Sequence, residues 1–145
     1  MLIKIVDDDQ VFVKKIKDIV YDNFKDIFLD YSIECITSNF EAQYFEKGDI
    51  FFLDIDLKEK NGIKIAEEIR ENNSNAIIIF VSAMNDMIFD SLIVQPFYFI
   101  RKDNFDRDMK IACTLIQKYI NKNHKIITFD FNGKKTSIKL SDIIY

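Results

Sequence analysis

Three glycines and a single proline are too few for a chain of 145 residues to be disordered or repeat-rich. Tryptophan is absent. The two cysteines, Cys35 and Cys113, stand far apart with no CxxC pair and no cysteine–histidine cluster, so neither a disulfide framework nor a zinc site is indicated. Both read as reduced packing residues. The longest apolar run, Ala76 to Val81, falls far short of the roughly 20 residues that cross a bilayer. The opening Met1-Leu2-Ile3-Lys4-Ile5-Val6 meets three aspartates rather than a cleavage site, so no membrane is expected and the chain reads as cytoplasmic. Basic residues are outnumbered, 20 against 24, and a net charge of −4 is a poor footprint for gripping a phosphate backbone. What is present is 48% hydrophobic and 14% aromatic, the composition of one compact domain with a short appendage.

Five apolar runs of strand length recur at residues 2–6, 31–37, 50–53, 76–82 and 97–100. Between them lie segments of helical period. The first, residues 11–28, places Val11, Ile16, Ile19, Val20, Phe24 and Ile27 on one stripe; the others cover residues 39–46, 62–71, 85–93 and 105–120. Strand and helix taking turns imply parallel pairing with crossover helices, because parallel neighbours need a long connection. The fold expected is α/β, a doubly wound five-stranded parallel sheet of order 2-1-3-4-5. Runs 2–6, 50–53 and 76–81 are almost uninterrupted and therefore belong at the sheet centre, buried on both faces. Pro96 interrupts the stretch before the last strand.

Beyond residue 120 the pattern changes. A polar linker, residues 122–125, contains the only histidine, His124, which reads as a solvated linker residue. After it, two alternating runs flank Asn132-Gly133, a strong hairpin signal. From Lys125 onward four lysines face two aspartates, +2, leaving −6 for residues 1–124. A lone hairpin is marginal in water. The expected division is a domain over residues 1–121, the linker, and the opening strands of a truncated second domain over 126–145.

Ligands of open parallel sheets bind beyond the carboxyl ends of the strands. There this sequence places Asp7-Asp8-Asp9, Asp54 with Asp56, Ser82, and Arg101-Lys102. An acidic run before a helix also reads as an N-cap and dipole partner for the helix beginning near Val11. The arrival of Asp54 at the same edge favours a cation. Asp7, Asp8, Asp54 and Lys102 together carry −2, and oxygen-only ligands select a hard divalent ion such as Mg2+. With neighbouring strands about 4.8 Å apart, Ser82 sits one strand from Asp54 and Lys102 two strands away, within reach of its long stem. An anion on Asp54 would meet a cation, a hydroxyl and an ammonium, the surroundings that stabilise a transferring phosphoryl group. The chemistry indicated is phosphoryl capture by Asp54.

Taken together, Asp7-Asp8, Phe51-Phe52-Leu53-Asp54-Ile55-Asp56-Leu57 with Gly62, Phe80-Val81-Ser82-Ala83 and Phe99-Ile100-Arg101-Lys102 resemble the CheY-like receiver domain of two-component response regulators. The resemblance covers residues 1 to about 120 and is nearest to the LytTR-type, AgrA-like branch, in Phe52-Leu53-Asp54-Ile55 and Asn61-Gly62-Ile63-Lys64. The tail from Ile126 to Tyr145 resembles the opening of a LytTR DNA-binding domain, most of which is absent. The resemblance implies that Asp54 accepts phosphate from a sensor histidine kinase. Asp8, Asp54 and the Asp56 backbone carbonyl would hold Mg2+, with Asp7 acting through water. Ser82 and Lys102 would bind the phosphoryl oxygens, and Phe99 matches the aromatic switch position, against the alternative of an ordinary core or edge phenylalanine. It further implies an acceptor rather than an enzyme. Its surface shifts on phosphorylation to control dimerisation through residues 85–120 and transcription, with DNA contacted only through the missing output domain. Phe89, Ile93 and Phe97 are candidate contacts there, although each alone reads as core.

Lys58 and Asp103 depart from the family, standing where receivers often have proline, and Tyr98 replaces a small or acidic residue. Asp56 adds a carboxylate two residues after the acceptor. The chief rival is a haloacid-dehalogenase-like phosphatase with Asp54 as nucleophile and Asp56 as general acid. Against it, Lys58 occupies the place of a Thr or Val, and the acidic pair precedes Asp54. A pseudo-receiver that only binds partners lacks support, because Asp7, Asp8, Asp54, Ser82 and Lys102 are all present.

Overall fold

The computed structural model describes residues 1–26, 30–123, 126–131 and 134–139. The uninterrupted apolar runs become β1 (Leu2–Val6), β3 (Ile50–Leu53) and β4 (Ile77–Ser82), flanked by β2 (Ser32–Ile36) and β5 (Tyr98–Arg101). All pairings are parallel, in the order β2-β1-β3-β4-β5. Every residue of β3 and β4 is buried, as expected of strands covered on both faces. The doubly wound sheet anticipated from the alternation is thus the one observed.

The helices are α1 (Gln10–Phe24), α2 (Gly62–Asn72), a single turn α3 (Ile88–Ser91) and α4 (Phe105–Asn123). In α1 the buried stripe is Val13, Ile16, Val20 and Phe24. Val11 is 63% exposed, contrary to expectation, because it lies in the first turn, next to the cap, and Val13 takes the core position. Ile27 lies outside the described residues.

Two expected helices are replaced by tighter turns. Residues 39–46 form only the 3-10 turn Ala42–Phe45. Asn39 is left-handed at φ 52°, Phe40 and Phe45 are both buried, and the carbonyls of Phe40 and Tyr44 accept from Lys60 and Lys4 instead of from a helical ladder. Residues 85–93 break into the 3-10 turn Asn85–Met87, α3, and the 3-10 turn Leu92–Val94. Here Phe89 and Ile93 are 84% and 73% exposed, so neither is core, and Ser91 and Val94 alone are buried. So narrow a buried face does not sustain a long helix, and left-handed Gln95 followed by Pro96 ends it. Cys113 is buried as anticipated, but Cys35 is exposed because β2 is a sheet edge.

The chain divides into two compact units, residues 1–109 and 110–145. In the second, β6 (Ile126–Phe131) pairs antiparallel with β7 (Lys134–Lys139), Phe131 opposite Lys134. That is the expected hairpin pairing; His124 and the Asn132-Gly133 pair lie outside the described residues. Among the described residues no helix is long and apolar enough to cross a membrane.

Candidate functional site

Parallel pairing sends the carboxyl ends of β1, β3, β4 and β5 to one edge of the sheet. Asp7 follows β1 directly and is 1% exposed; Asp54 follows β3 and is 4% exposed. The Asp54 N–H donates to the Val6 carbonyl at 2.9 Å, so the sheet ladder itself places the acceptor beside the acidic run. Oxygens of Asp7, Asp8 and Asp54 lie within 4.8 Å of one another.

The two readings of the acidic run divide by residue. Asp9 caps α1, accepting from the Val11 N–H at 3.0 Å, while Asp7 Oδ1 accepts from the Asp9 N–H at 2.8 Å and so orients that carboxylate toward the cluster. Asp8 is half-buried and its Oδ2 lies 3.8 Å from Lys58 Nζ, with Lys58 held left-handed at φ 62°.

Lys102 crosses from the end of β5 as the spacing requires. Its Nζ donates to Asp54 Oδ2 at 3.0 Å and makes an ionic contact of 2.8 Å with Asp7 Oδ2. That contact lacks the direction of a hydrogen bond and leaves Asp7 Oδ2 otherwise unpartnered. Burial pushes the Asp7 carboxyl up to about 7, outweighing the lowering by Lys102 and the Asp9 N–H, with the Asp54 charge adding to the rise. For Lys102, burial works against the charged form, yet the contact with Asp7 and the charges of Asp54 and Asp7 prevail and hold it above its ordinary value. Three carboxylates with oxygens within 4.8 Å of one another, Asp7 and Asp54 both buried, form an oxygen-only donor set that fits a hard divalent cation.

Ser82 ends β4, fully buried, and its Oγ accepts from the Met84 N–H at 3.1 Å. Phe99 pairs in register with Phe80, their rings 6.1 Å apart, and is half-buried against the core. The Asp56 N–H lies 3.4 Å from Asp54 Oδ1, while the exposed Asp56 carboxylate accepts from the Lys58 N–H at 3.2 Å. Asp103, standing where receivers often have proline, accepts from Asn85 Nδ2 at 3.2 Å and ties together the loops after β4 and β5.

Asp7, Asp8, Asp54 and Lys102 therefore come together as the sequence indicated. Arg101, placed by sequence at the same edge, is instead held by Asp108 through two side-chain bonds of 2.8 and 2.9 Å and one from its own N–H at 3.0 Å. Asp108, seven residues on and inside a helix, had no local signal. Sequence reasoning also missed Phe12, whose ring lies beside Lys102. An aromatic near the start of an amphipathic helix reads as packing.

A model of the response regulator receiver domain matches residues 3–125. The sensory transduction protein LytT of Bacillus subtilis is 30% identical over 108 residues, covering 74% of this chain and 44% of that protein. LytT of Bacillus cereus is 26% identical over 143 residues, 99% of this chain and 55% of the relative. The chain thus spans about half the length of the curated relatives it matches. Among solved structures, the response regulator TrrA of Thermotoga maritima, in complex with Mg2+-BeF, is 25% identical with a TM-score of 0.63 and covers 79% of this chain and 97% of that one. A receiver domain protein of Methanospirillum hungatei has a TM-score of 0.66 at 21% identity, over 83% and 96% of the two chains.

Proposed function

Because the chain belongs to the response regulator receiver domain family, we propose that it captures a phosphoryl group on Asp54 and passes the signal on by a change of surface. The observation that carries this reading is the Lys102 ammonium 3.0 Å from Asp54 Oδ2, with Asp7 and Asp8 gathered at the same carboxylate. The donor is a phosphohistidine of a sensor kinase. Its P–N bond breaks as a P–O bond to an Asp54 carboxylate oxygen forms, and the imidazole leaves with a proton from solvent. Asp54 supplies the nucleophile, and Lys102 and Ser82 bind the phosphoryl oxygens.

Asp8, Asp54 and the backbone carbonyl of Asp56 would hold Mg2+, with Asp7 acting through water. Bound there, the ion supplies positive charge against the equatorial oxygens of the phosphoryl group. Support comes from the gathering of Asp7, Asp8 and Asp54 oxygens within 4.8 Å of one another and from the Mg2+ carried by the Thermotoga relative. Phe99, its ring tilted against that of Phe80 in the neighbouring β4, follows Ser82 as that residue closes on the phosphoryl group. The output is dimerisation through residues 85–120, where Phe89 and Ile93 are exposed. The domain division is a receiver over residues 1–121, a linker over 122–125 and the opening strands of a LytTR-type output domain over 126–145; DNA contact belongs to the output domain as a whole and neither to the receiver nor to these strands alone. The setting is cytoplasmic.

The phosphatase alternative needs Asp56 as a general acid, but that carboxylate is exposed and bound to the Lys58 N–H. The two readings separate by stoichiometry. Phosphoramidate, whose P–N bond resembles that of the donor, loads at most one phosphoryl group per chain at any moment and none on Asp54→Asn. Turnover of p-nitrophenyl phosphate that Asp56→Asn abolishes would overturn the acceptor reading in favour of the phosphatase.

A further inference from the structure

The Lys102 ammonium has a third neighbour besides its two carboxylates: the ring of Phe12, with Nζ 4.5 Å from the centroid. Phe12 lies near the start of α1, four residues after Asp8, and is half-buried. Its ring stands edge-on to Phe105, centroids 5.5 Å apart at 78°. Phe105 is itself buried and follows Lys102 by three residues, just beyond the 3-10 turn Lys102–Asn104. The ring is therefore braced by the same stretch of chain that carries the lysine. A second ammonium, Lys15 Nζ, lies 5.1 Å from the Phe12 ring and 5.9 Å from that of Phe105, so two cations share this aromatic pair.

An aromatic face attracts an ammonium through its quadrupole, and more strongly where water is excluded. The Lys102 side chain is only 12% exposed. Of its other two partners, Asp7 and Asp54, the latter gives up its free carboxylate when it takes a phosphoryl group. The ring attraction does not depend on that charge. A lysine on a flexible four-carbon stem with a constant seat loses less rotamer freedom when it turns to a new anion.

We infer that Phe12 is a positioning residue for Lys102, its ring seating the ammonium so that it stays at Asp54 through phosphoryl transfer. The transfer half of this statement rests on the proposed acceptor role of Asp54, whereas the seat itself does not.

The test therefore has two readouts, both on the full chain. In protein labelled with 13C at the lysine ε-carbons, the Lys102 resonance, assigned with Lys102→Arg, should have its ε-protons shifted upfield of the lysines that face no aromatic ring. Phe12→Leu should abolish that shift and Phe12→Tyr should keep it. Phosphorylation by acetyl phosphate with Mg2+ should slow roughly fivefold in Phe12→Leu, the factor expected of one partly desolvated cation–π contact. It should stay near wild type in Phe12→Tyr, and the loss should vanish when Phe12→Leu is made in a Lys102→Ala background. A Lys102 shift no different from that of lysines facing no aromatic ring, a rate in Phe12→Leu equal to wild type, or an undiminished loss in the Lys102→Ala background would overturn the inference. If the wild type takes up no phosphoryl group the acceptor role of Asp54 fails, and the ring-current shift still decides the seat.

Discussion

A Cβ placed on Gly62 would lie 1.9 Å from the backbone carbonyl oxygen of Asp54. The start of α2 is thereby pressed against the proposed phosphoacceptor, an approach secured by the Gly62 N–H donating to the Ile55 carbonyl at 2.7 Å and by Asn61 capping the helix. Only a residue without a side chain fits there. Gly62→Ala must push backbone against backbone, and overpacking of that kind costs about 1–3 kcal/mol or more. Urea denaturation should show the midpoint falling accordingly, and an unchanged midpoint would mean that the loop carrying Asp54 is free to yield.

Gly62 was visible in the sequence as a glycine eight positions past an aspartate, and the fold was visible for a similar reason: strong local signals agreeing with one another. Fully buried strands have to be written in unbroken apolar residues, so β3 could be read to the residue and β4 within one. The failures sit where tertiary contacts overrode period. Lys4 and Lys60 satisfy carbonyls in residues 39–46 that a helix would have used, and neither contact is readable from that segment. Residues 85–93 contain enough apolar side chains for a helix, yet expose Phe89, Leu92 and Ile93, since a helical pattern does not say whether its stripe finds a partner. At the site, carboxylates and a lysine at strand ends announce themselves by charge, while Phe12 does not.

The Arg101–Asp108 pair gives a pH signature separate from the site. Asp108 is 2% exposed, and its bond to the Arg101 guanidinium holds its carboxyl below the ordinary 3.8 despite the opposing effect of burial. A depressed folded value means that the contribution is complete above the unfolded value and lost as pH falls through the folded one. Asp108→Asn should therefore lower the melting temperature at pH 7, with the gap to wild type closing as pH drops below 4. A gap that stays constant down to pH 3 would show that charge is not what the pair contributes.

Arg70 anchors the far end of the segment that precedes β5. Its guanidinium donates to the carbonyls of Val94 at 2.9 Å, Gln95 at 3.1 Å and Ser74 at 3.2 Å, so it joins α2 to the turn before β5. Hydrogen bonds from a charged donor contribute about 1.5–3 kcal/mol each at most, and Arg70→Ala should cost about 1–3 kcal/mol in all. Hydrogen exchange should quicken at residues 94–98 more than in β1; uniform acceleration across the sheet would mean that the anchor is not local.

The carboxylate cluster gives a metal signature. A ligand held only by the folded state stabilises it, by about 1.4 kcal/mol at tenfold excess over Kd. Millimolar Mg2+ should raise the melting temperature of the wild type and much less that of Asp8→Ala, in which one of the three clustered carboxylates is gone. Equal shifts in the two proteins would argue against a cation at Asp8.

The central claim, that Asp54 captures a phosphoryl group beside Lys102, is tested most directly by weighing the protein. After incubation with acetyl phosphate and Mg2+, intact mass spectrometry should find one added phosphoryl group, peptide mapping should place it on the peptide containing Asp54, and Asp54→Ala should gain nothing. No added mass in the wild type, or the same added mass in Asp54→Ala, would contradict it.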